Sequence, residues 1–592
     1  MAVNSYKEDE EVAHIGKWQL FKRLFKYLWK YKWTVILILA LIIFRTVIRI
    51  INPLFIEAGI DDYIGKGDFK GLLILGAVIT VLNIITVLSV KWRIYITSKV
   101  TNKAVMEIRQ DLYNHIQTLD FKFFDSRPTG KILSRIIQDV NSLKSFFESC
   151  ITTLLPELGT VVAVLIIMIC KNPKLSLASL FSLPLLIAGM FFINIRGKKL
   201  WTLKRKKSSN YSAYLHESIS GNKVVQQFTA EKETNEECDR LSDEDRKSFI
   251  NAVCCSDAFM SIVVITEALG TMALYFAGIK ILGIDNVSVG TYIAFGTYLT
   301  MFWEPISELA SFYNQLVSNV AAAERVFEVL DTVPEIRNKE NAAPLPPIKG
   351  EVQFDHVDFG YNDEVQVLKD VNFTIKPGET IALVGPTGAG KTTIVNLVSR
   401  FYDATGGKVK IDGFDVKDVT LESMRSQMGV MTQDTYLFSG TIRENIRYGK
   451  LDATDEEIEN AAKAVHADDF ISKLPKGYDT ELTERGGGLS NGQKQLVAFA
   501  RTMLSQPKIL VLDEATSSID TKTEILVQQG IEVLLKGRTS FVIAHRLSTI
   551  KNADRIFVIN NQGIVEQGSP AELMALKGEY YRLYMAQFAE IA

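Results

Sequence analysis

Long apolar runs crowd the first 320 positions of the chain and then give way to shorter ones. Six of them reach the roughly 20 mostly apolar residues that a bilayer-crossing helix needs, near 34–56, 71–91, 151–171, 174–195, 257–281 and 288–311. Ahead of them, Lys17 to Lys32 (KWQLFKRLFKYLWKYK) alternates apolar and basic positions at helical spacing. Trp18, Phe21, Phe25 and Leu28 are expected on one face, with Lys22, Lys26 and Lys30 elsewhere, as in a helix lying in the membrane interface. A calmodulin-target helix reads similarly, and the spans that follow decide for the membrane. After the second and fourth spans, helical periodicity continues with few breakers, so helices are expected to run on into the cytoplasm. Lys and Arg crowd the leader and the stretches 91–148 and 196–253, while the links near 57–70, 171–174 and 282–287 carry few. By the positive-inside rule both termini are cytoplasmic.

Helical spacing persists from Ala321 to Leu330, and Thr332 to Gly350, with Pro334, Pro344, Pro346 and Pro347, reads as a linker. From Glu351 onward the composition is that of a soluble α/β domain of about 240 residues. The expected divisions are a leader with an interfacial helix (1–33), a six-span transmembrane domain with cytoplasmic extensions (34–322), a linker (323–350) and a cytoplasmic α/β domain (351–592). The first apolar run follows a leader rich in Glu8, Asp9, Glu10 and Glu11, which argues against a cleavable signal or transit peptide.

The α/β half carries the chemistry. Ile381 to Val384 form a buried-strand run, Gly385 breaks it, and Ile394, Leu397, Val398 and Phe401 then recur at i, i+3, i+4, i+7. Between them lie Gly385, Pro386, Thr387, Gly388, Ala389, Gly390, Lys391 and Thr392, a full match to G-x-x-x-x-G-K-[ST] in its strand–loop–helix setting, followed by Thr393. Backbone N–H groups of such a loop close around phosphate oxygens, and the helix N-terminus adds partial positive charge. Lys391 suits the β/γ-phosphates and the Thr392 hydroxyl suits Mg²⁺, so a nucleoside triphosphate is the expected ligand. Downstream, the strand-type run Ile509 to Leu512 ends in Asp513 and Glu514, suited to Mg²⁺ coordination and to polarising an attacking water. Ser490, Asn491, Gly492 and Gln493 open a helix-patterned run, a second anion-binding terminus. His545 follows another strand-type run and could contact a γ-phosphate.

Charge and cysteines narrow the reading. A net charge of -2 gives no basic field of the kind nucleic acid needs. The five cysteines form no C-x-x-C pair, and Cys150 and Cys170 read as small core hydrophobes.

The P-loop, LSNGQ (489–493), VLDEAT (511–516) and AHR (544–546), in this order behind six spans, resemble the ATP-binding cassette exporters, more narrowly a bacterial half-transporter of the multidrug-resistance type. The resemblance implies ATP and Mg²⁺ as ligands, with Tyr361 stacking on adenine, Gln433 linking Mg²⁺ to the membrane domain, and Glu514 as catalytic base. It likewise makes His545 the switch histidine, Asp520 part of the D-loop, and Thr483 to Gly486 an X-loop. Two ATPs are sandwiched between two chains in such exporters, so Ser490, Asn491, Gly492 and Gln493 would serve the partner's nucleotide. Phe121–Asp125 and Ser218–Gly221 resemble the coupling regions that dock on the cassettes. Asn491 stands where the usual signature has glycine, adding a Cβ near phosphate and weakening that half-site. This resembles heterodimeric exporters with one impaired site; a homodimer that tolerates Asn491 is the alternative.

Arg45, Arg49, Glu304 and Glu308 interrupt the spans and are candidates for a cavity that touches cargo, with interhelical pairing the competing role. The expected function is ATP-driven export of hydrophobic or amphipathic compounds. Alternatives are a lipid or lipid-linked flippase, a peptide exporter, and, from a different class, an ATP-gated channel. The lipid bilayer and a second half-transporter are the expected partners, with no nucleic acid.

Overall fold

The computed structural model describes residues 16–282, 287–362, 365–432, 435–513, 521–543 and 552–588. Its contacts divide into two compact units, one holding Thr118–Arg127 and everything from Val333 onward, the other the rest up to Thr332.

Every regular element among the described residues of the second unit is a helix. Helix α1 (Lys17–Trp29) buries Leu20, Leu24 and Leu28, while Trp18 and Phe25 join Lys22 and Lys26 on the exposed side. The apolar face expected from the sequence is therefore partly rotated: the leucines at i, i+4, i+8 are buried, Phe21 is half-buried beside Phe146 with ring centroids 5.8 Å apart, and Trp18 and Phe25 are exposed. Helix α2 (Lys32–Ala58) follows, with Pro53 inside it. Helix α3 (Phe69–Ile116) starts at Asp68, whose carboxylate accepts the Gly71 N–H at 3.0 Å. Its 48 residues make about 72 Å at 1.5 Å each, over twice the roughly 30 Å apolar core of a bilayer.

After the short helix α4 (Phe121–Asp125) comes α5 (Thr129–Lys171), where Pro156 follows a π-helical turn at Cys150–Leu154 that accommodates its missing N–H. The fourth expected span is divided into α6 (Pro173–Ser179) and α7 (Leu183–Ser220), with Pro184 in the first turn of α7, where a missing N–H is harmless. A short helix (Asn222–Gln227) then leads to helices α8 (Glu231–Phe276) and α9 (Val289–Asp331).

Five stretches of helix among the described residues are long and apolar enough to cross a membrane: Lys32–Ile64, Phe69–Ile116, Thr129–Lys171, Pro173–Ser220 and Glu231–Lys280. Helix α9, site of the sixth expected span, is long enough, but Tyr292, Tyr298, Trp303 and Glu304 dilute its hydropathy. It packs Phe295, Tyr298, Leu299, Phe302 and Trp303 among neighbouring helices, and a helix enclosed by protein need not be apolar all round. Cys150 is buried as expected, whereas Cys170 is exposed.

Among its described residues the first unit holds two large sheets and a small pairing of Gly440–Thr441 with Glu481–Leu482. Strands β1 (Val352–Asn362), β2 (Val365–Ile375), β4 (Gly406–Ile411) and β5 (Phe414–Asp415) form an antiparallel sheet in the order β2-β1-β4-β5. The six-stranded sheet runs β10-β9-β3-β8-β7-β6, from β3 (Thr380–Val384), β6 (Met428–Met431), β7 (Ile509–Asp513), β8 (Thr539–Ile543), β9 (Arg555–Asn560) and β10 (Gly563–Gly568). Its strands are parallel except β10. Helix α10 (Lys391–Val398) presses Ile394, Val395, Leu397 and Val398 into the core between the sheets, and stops before Phe401. A second core gathers around α11 (Asn491–Ser505).

Candidate functional site

In the parallel sheet, Leu383 of β3 lies opposite Ile543 of β8, and Ile543 lies opposite Asp513 of β7. The loop after β3 and the carboxylate of Asp513 therefore leave the sheet at one carboxyl edge, where open α/β sheets bind ligands. Two glycines shape the loop. Gly388 has φ +86° and Gly390 φ +105°, conformations that L side chains avoid, and a Cβ on Gly390 would stand 3.0 Å from Leu368 Cδ2. Gly390 caps α10 without a side chain, which leaves the first helical N–H groups for an anion.

Lys391 is buried, and its Nζ donates to the carbonyl oxygens of Gly385 (2.8 Å) and Pro386 (3.0 Å). Burial lowers its pKa, and the nearby charge of Asp513 opposes that shift. Carbonyl dipoles satisfy its donors without neutralising it, so the loop suits a ligand that brings negative charge. Thr392 is exposed beside it. Thr393 is buried, and its hydroxyl shares a 3.1 Å hydrogen bond with the hydroxyl of Tyr361. Tyr361 keeps 41% of its surface exposed, enough to offer a ring face to a base.

Ser490 caps α11 through a reciprocal pair: its hydroxyl accepts the Gln493 N–H at 3.4 Å, and its own N–H donates to Gln493 Oε1 at 2.9 Å. Asn491 is the first helical residue and is exposed, whereas Gly492 is buried. It lies outside the positive-φ set, so asparagine costs no backbone strain here. What it adds is a side chain on the exposed terminus, which narrows the reason for expecting a weaker half-site. Gln433, Glu514, Asp520 and His545 lie outside the described residues.

Two family patterns match the chain, the ABC transporter transmembrane region over residues 35–306 and the ABC transporter pattern over residues 368–517. The ABC transporter ATP-binding protein YknV of Bacillus subtilis (strain 168) is 42% identical over 590 residues, covering 99% of this chain and 97% of that protein. The chain belongs to the ABC transporter family. An ATP-dependent lipid A-core flippase of Syntrophus aciditrophicus (strain SB) is 38% identical, covering 83% of this chain and 82% of its own length. A Staphylococcus aureus (strain NCTC 8325 / PS 47) ATP-binding/permease protein, provisionally named for multidrug export, is 38% identical over 84% of this chain and 86% of its own. A solved structure of a bacterial Atm1-family ABC exporter with ATP bound superimposes with TM-score 0.79 at 29% identity, covering 95% of this chain and 99% of that one. The chain is thus an ATP-hydrolysing ABC exporter half-transporter, a membrane protein with one transmembrane unit and one cassette, and it works as a dimer.

In the exporter's transmembrane unit the candidate charges separate. Arg49 on α2 pairs with Glu304 on α9, and its Nη1 stands 3.8 Å from Glu157 Oε2 on α5. Arg45 and Glu308 form no ion pair among the described residues. Near the cassette core, Phe121 of α4 lies against Phe401 with ring centroids 4.3 Å apart, and Lys122 pairs with Glu335 at 2.6 Å. Tyr402 donates its hydroxyl proton to Asp125 Oδ2 at 2.6 Å. Sequence reasoning missed Tyr402, and the only signal for it was a second aromatic next to Phe401, just beyond the P-loop helix. Ser218–Gly221, at the far end of α7, includes exposed Ile219 and is followed by exposed Val224 and Phe228.

Proposed function

We propose that this half-transporter uses Mg·ATP to export hydrophobic or amphipathic compounds across the cell membrane, with both termini cytoplasmic. The observation that carries the reading is the buried Lys391 held at the mouth of the P-loop, facing the sheet edge that ends in Asp513. In this reading Gly385 to Thr393 cradle the phosphates, Lys391 neutralises them and Tyr361 stacks on adenine. Mg²⁺, when bound, draws charge from the phosphates, and Thr392, Gln433 and Asp513 are the residues suited to hold it. Glu514 takes the proton of the attacking water, and His545 contacts the γ-phosphate. Asp520 belongs to the loop that meets the second chain. Ser490, Asn491, Gly492 and Gln493 present the α11 terminus to the partner's nucleotide.

A heterodimer is favoured, with the second chain supplying an unmodified signature, because Asn491 projects a side chain where that nucleotide would approach. The exposed Ile219, Val224 and Phe228 supply an apolar surface for the partner's cassette. Export follows only if ATP-bound, closed cassettes favour the outward-facing state over the inward one. Lipid flipping is the second reading, supported by the relative named as a lipid A-core flippase. The test is ATPase stimulation of the purified dimer by a panel of amphipathic drugs and by lipids. Stimulation by drugs supports the first reading, and stimulation by lipid alone supports the second.

A further inference from the structure

Two elements of the cassette unit meet through one tyrosine that neither role explains. Tyr361 is the penultimate residue of β1, tied by its hydroxyl to Thr393 and, at 3.4 Å, to the Asn396 amide of the P-loop helix. Tyr402 packs edge-on against its ring, with centroids 5.0 Å apart and planes at 89°. The hydroxyl of Tyr402 donates to Asp125, the last residue of α4. Tyr402 is only 9% exposed, and burial, reinforced by Asp125, raises its pKa well above the ordinary tyrosine value, so it remains a donor at any physiological pH. Three residues after Asp125 the chain enters the transmembrane unit at Pro128, and Gln117 ends that unit just before α4.

We propose that Tyr402 is a positioning residue that ties occupancy of the base site at Tyr361 to the placement of α4, through the Tyr402–Asp125 hydrogen bond. The proposal rests on the reading that Tyr361 stacks on adenine. Its physical content is that a base settling on Tyr361 restricts that ring, the perpendicular Tyr402 ring loses freedom with it, and the short hydroxyl–carboxylate bond passes the restriction to α4. The phosphates, held by the P-loop, meet this path only through the Thr393 hydroxyl on the rim of Tyr361, whereas the base rests on the ring face itself. The base, and not the phosphates, is therefore what orders the segment that leads into the membrane helices.

Hydrogen exchange of residues 121–125 in the full chain, reconstituted in lipid nanodiscs, tests this without knowledge of the cargo. Mg·AMP-PNP is expected to slow exchange there by about tenfold, and Mg·tripolyphosphate, which has no base, to leave it unchanged. Asp125→Ala and Tyr402→Phe should each lose the protection, the double variant should lose no more than either single one, and Asp125→Asn, which keeps an acceptor, should retain most of it. Asp125→Ala should still bind AMP-PNP within about threefold of wild type, because the P-loop is untouched. Full protection in Tyr402→Phe, or equal protection by tripolyphosphate, would overturn the proposal. Unchanged AMP-PNP affinity in Tyr361→Ala would instead overturn the adenine reading beneath it.

Discussion

Lys391 reaches back across its own loop, its ammonium nitrogen 2.8 Å from the carbonyl oxygen of Gly385. Burial holds its pKa below the unfolded value, so at neutral pH the charged side chain is a net cost to the nucleotide-free fold that its carbonyl partners only partly offset. Lys391→Met should therefore unfold at a temperature close to wild type without nucleotide. Wild type at 100 times the Kd of Mg·ATP should gain about 2.7 kcal/mol, and the variant should gain almost none. A thermal-shift series with and without nucleotide checks both halves.

Asn491 starts α11 with ordinary helical backbone, and the Ser490–Gln493 capping pair does not depend on it. Asn491→Gly should change stability by less than about 1 kcal/mol. It should raise the ATPase activity of preparations containing only this chain several-fold. Robust, cooperative hydrolysis by the unmodified chain alone would favour a homodimer and contradict the impaired half-site.

Arg49 is bound to Glu304 and lies near Glu157, whereas Arg45 has no ion-pair partner among the described residues. Arg49→Ala leaves acids without their cation in an apolar setting, a change expected to cost about 3–5 kcal/mol for a buried pair and less for the more exposed Glu304. Arg45→Ala should spare stability and shift cargo preference instead. Denaturation midpoints in detergent, beside ATPase stimulation by several drugs, separate the two outcomes. Loss of stability from Arg45→Ala would return both arginines to a packing role.

Besides Ser490–Gln493, three helices of the cassette unit begin with reciprocal capping pairs closed by a glutamate, Thr441–Glu444, Thr454–Glu457 and Ser569–Glu572. Backbone hydrogen bonds hold Glu444 and Glu572 below the usual glutamate value, and for Glu457 the Lys450 hydrogen bond leads, with Thr454 adding to it. A depressed carboxylate pKa stabilises the fold above the unfolded value and loses that contribution as pH falls through the folded one. The unfolding temperature of the cassette should accordingly hold from neutral pH to about 5 and then fall in the acid range below the unfolded glutamate pKa. Glu444→Gln, which keeps an acceptor for the Thr441 N–H, should flatten part of that decline, as a pH series of melting curves would show.

The strand–loop–helix frame of the P-loop was legible because its signals are local. One strand, one glycine loop and one helix follow each other in the chain, and the structure keeps Ile381–Val384 and Ile394–Val398 in those roles. Elements defined by what they pack against were harder to read. The leader helix offers two apolar stripes, and only the helices beside it decide that Leu20, Leu24 and Leu28 go inside. Hydropathy marks α3 strongly and α9 weakly, because α9 exchanges lipid contact for contact with other helices. Arg49 reads the same in sequence whether it meets cargo or Glu304, and only spatial neighbours separate the two. Tyr402 has no motif at all, since its meaning comes from Asp125, 277 positions away.

The proposal that nucleotide energy moves solute is tested most directly in sealed vesicles holding the purified dimer. With Mg·ATP outside, on the cassette side, an amphipathic dye should accumulate in the lumen. The signal should vanish in Lys391→Ala and Glu514→Gln, while Glu514→Gln still binds ATP. Dye or lipid movement that is absent with Mg·ATP, or that persists unchanged in both variants, would contradict ATP-driven export.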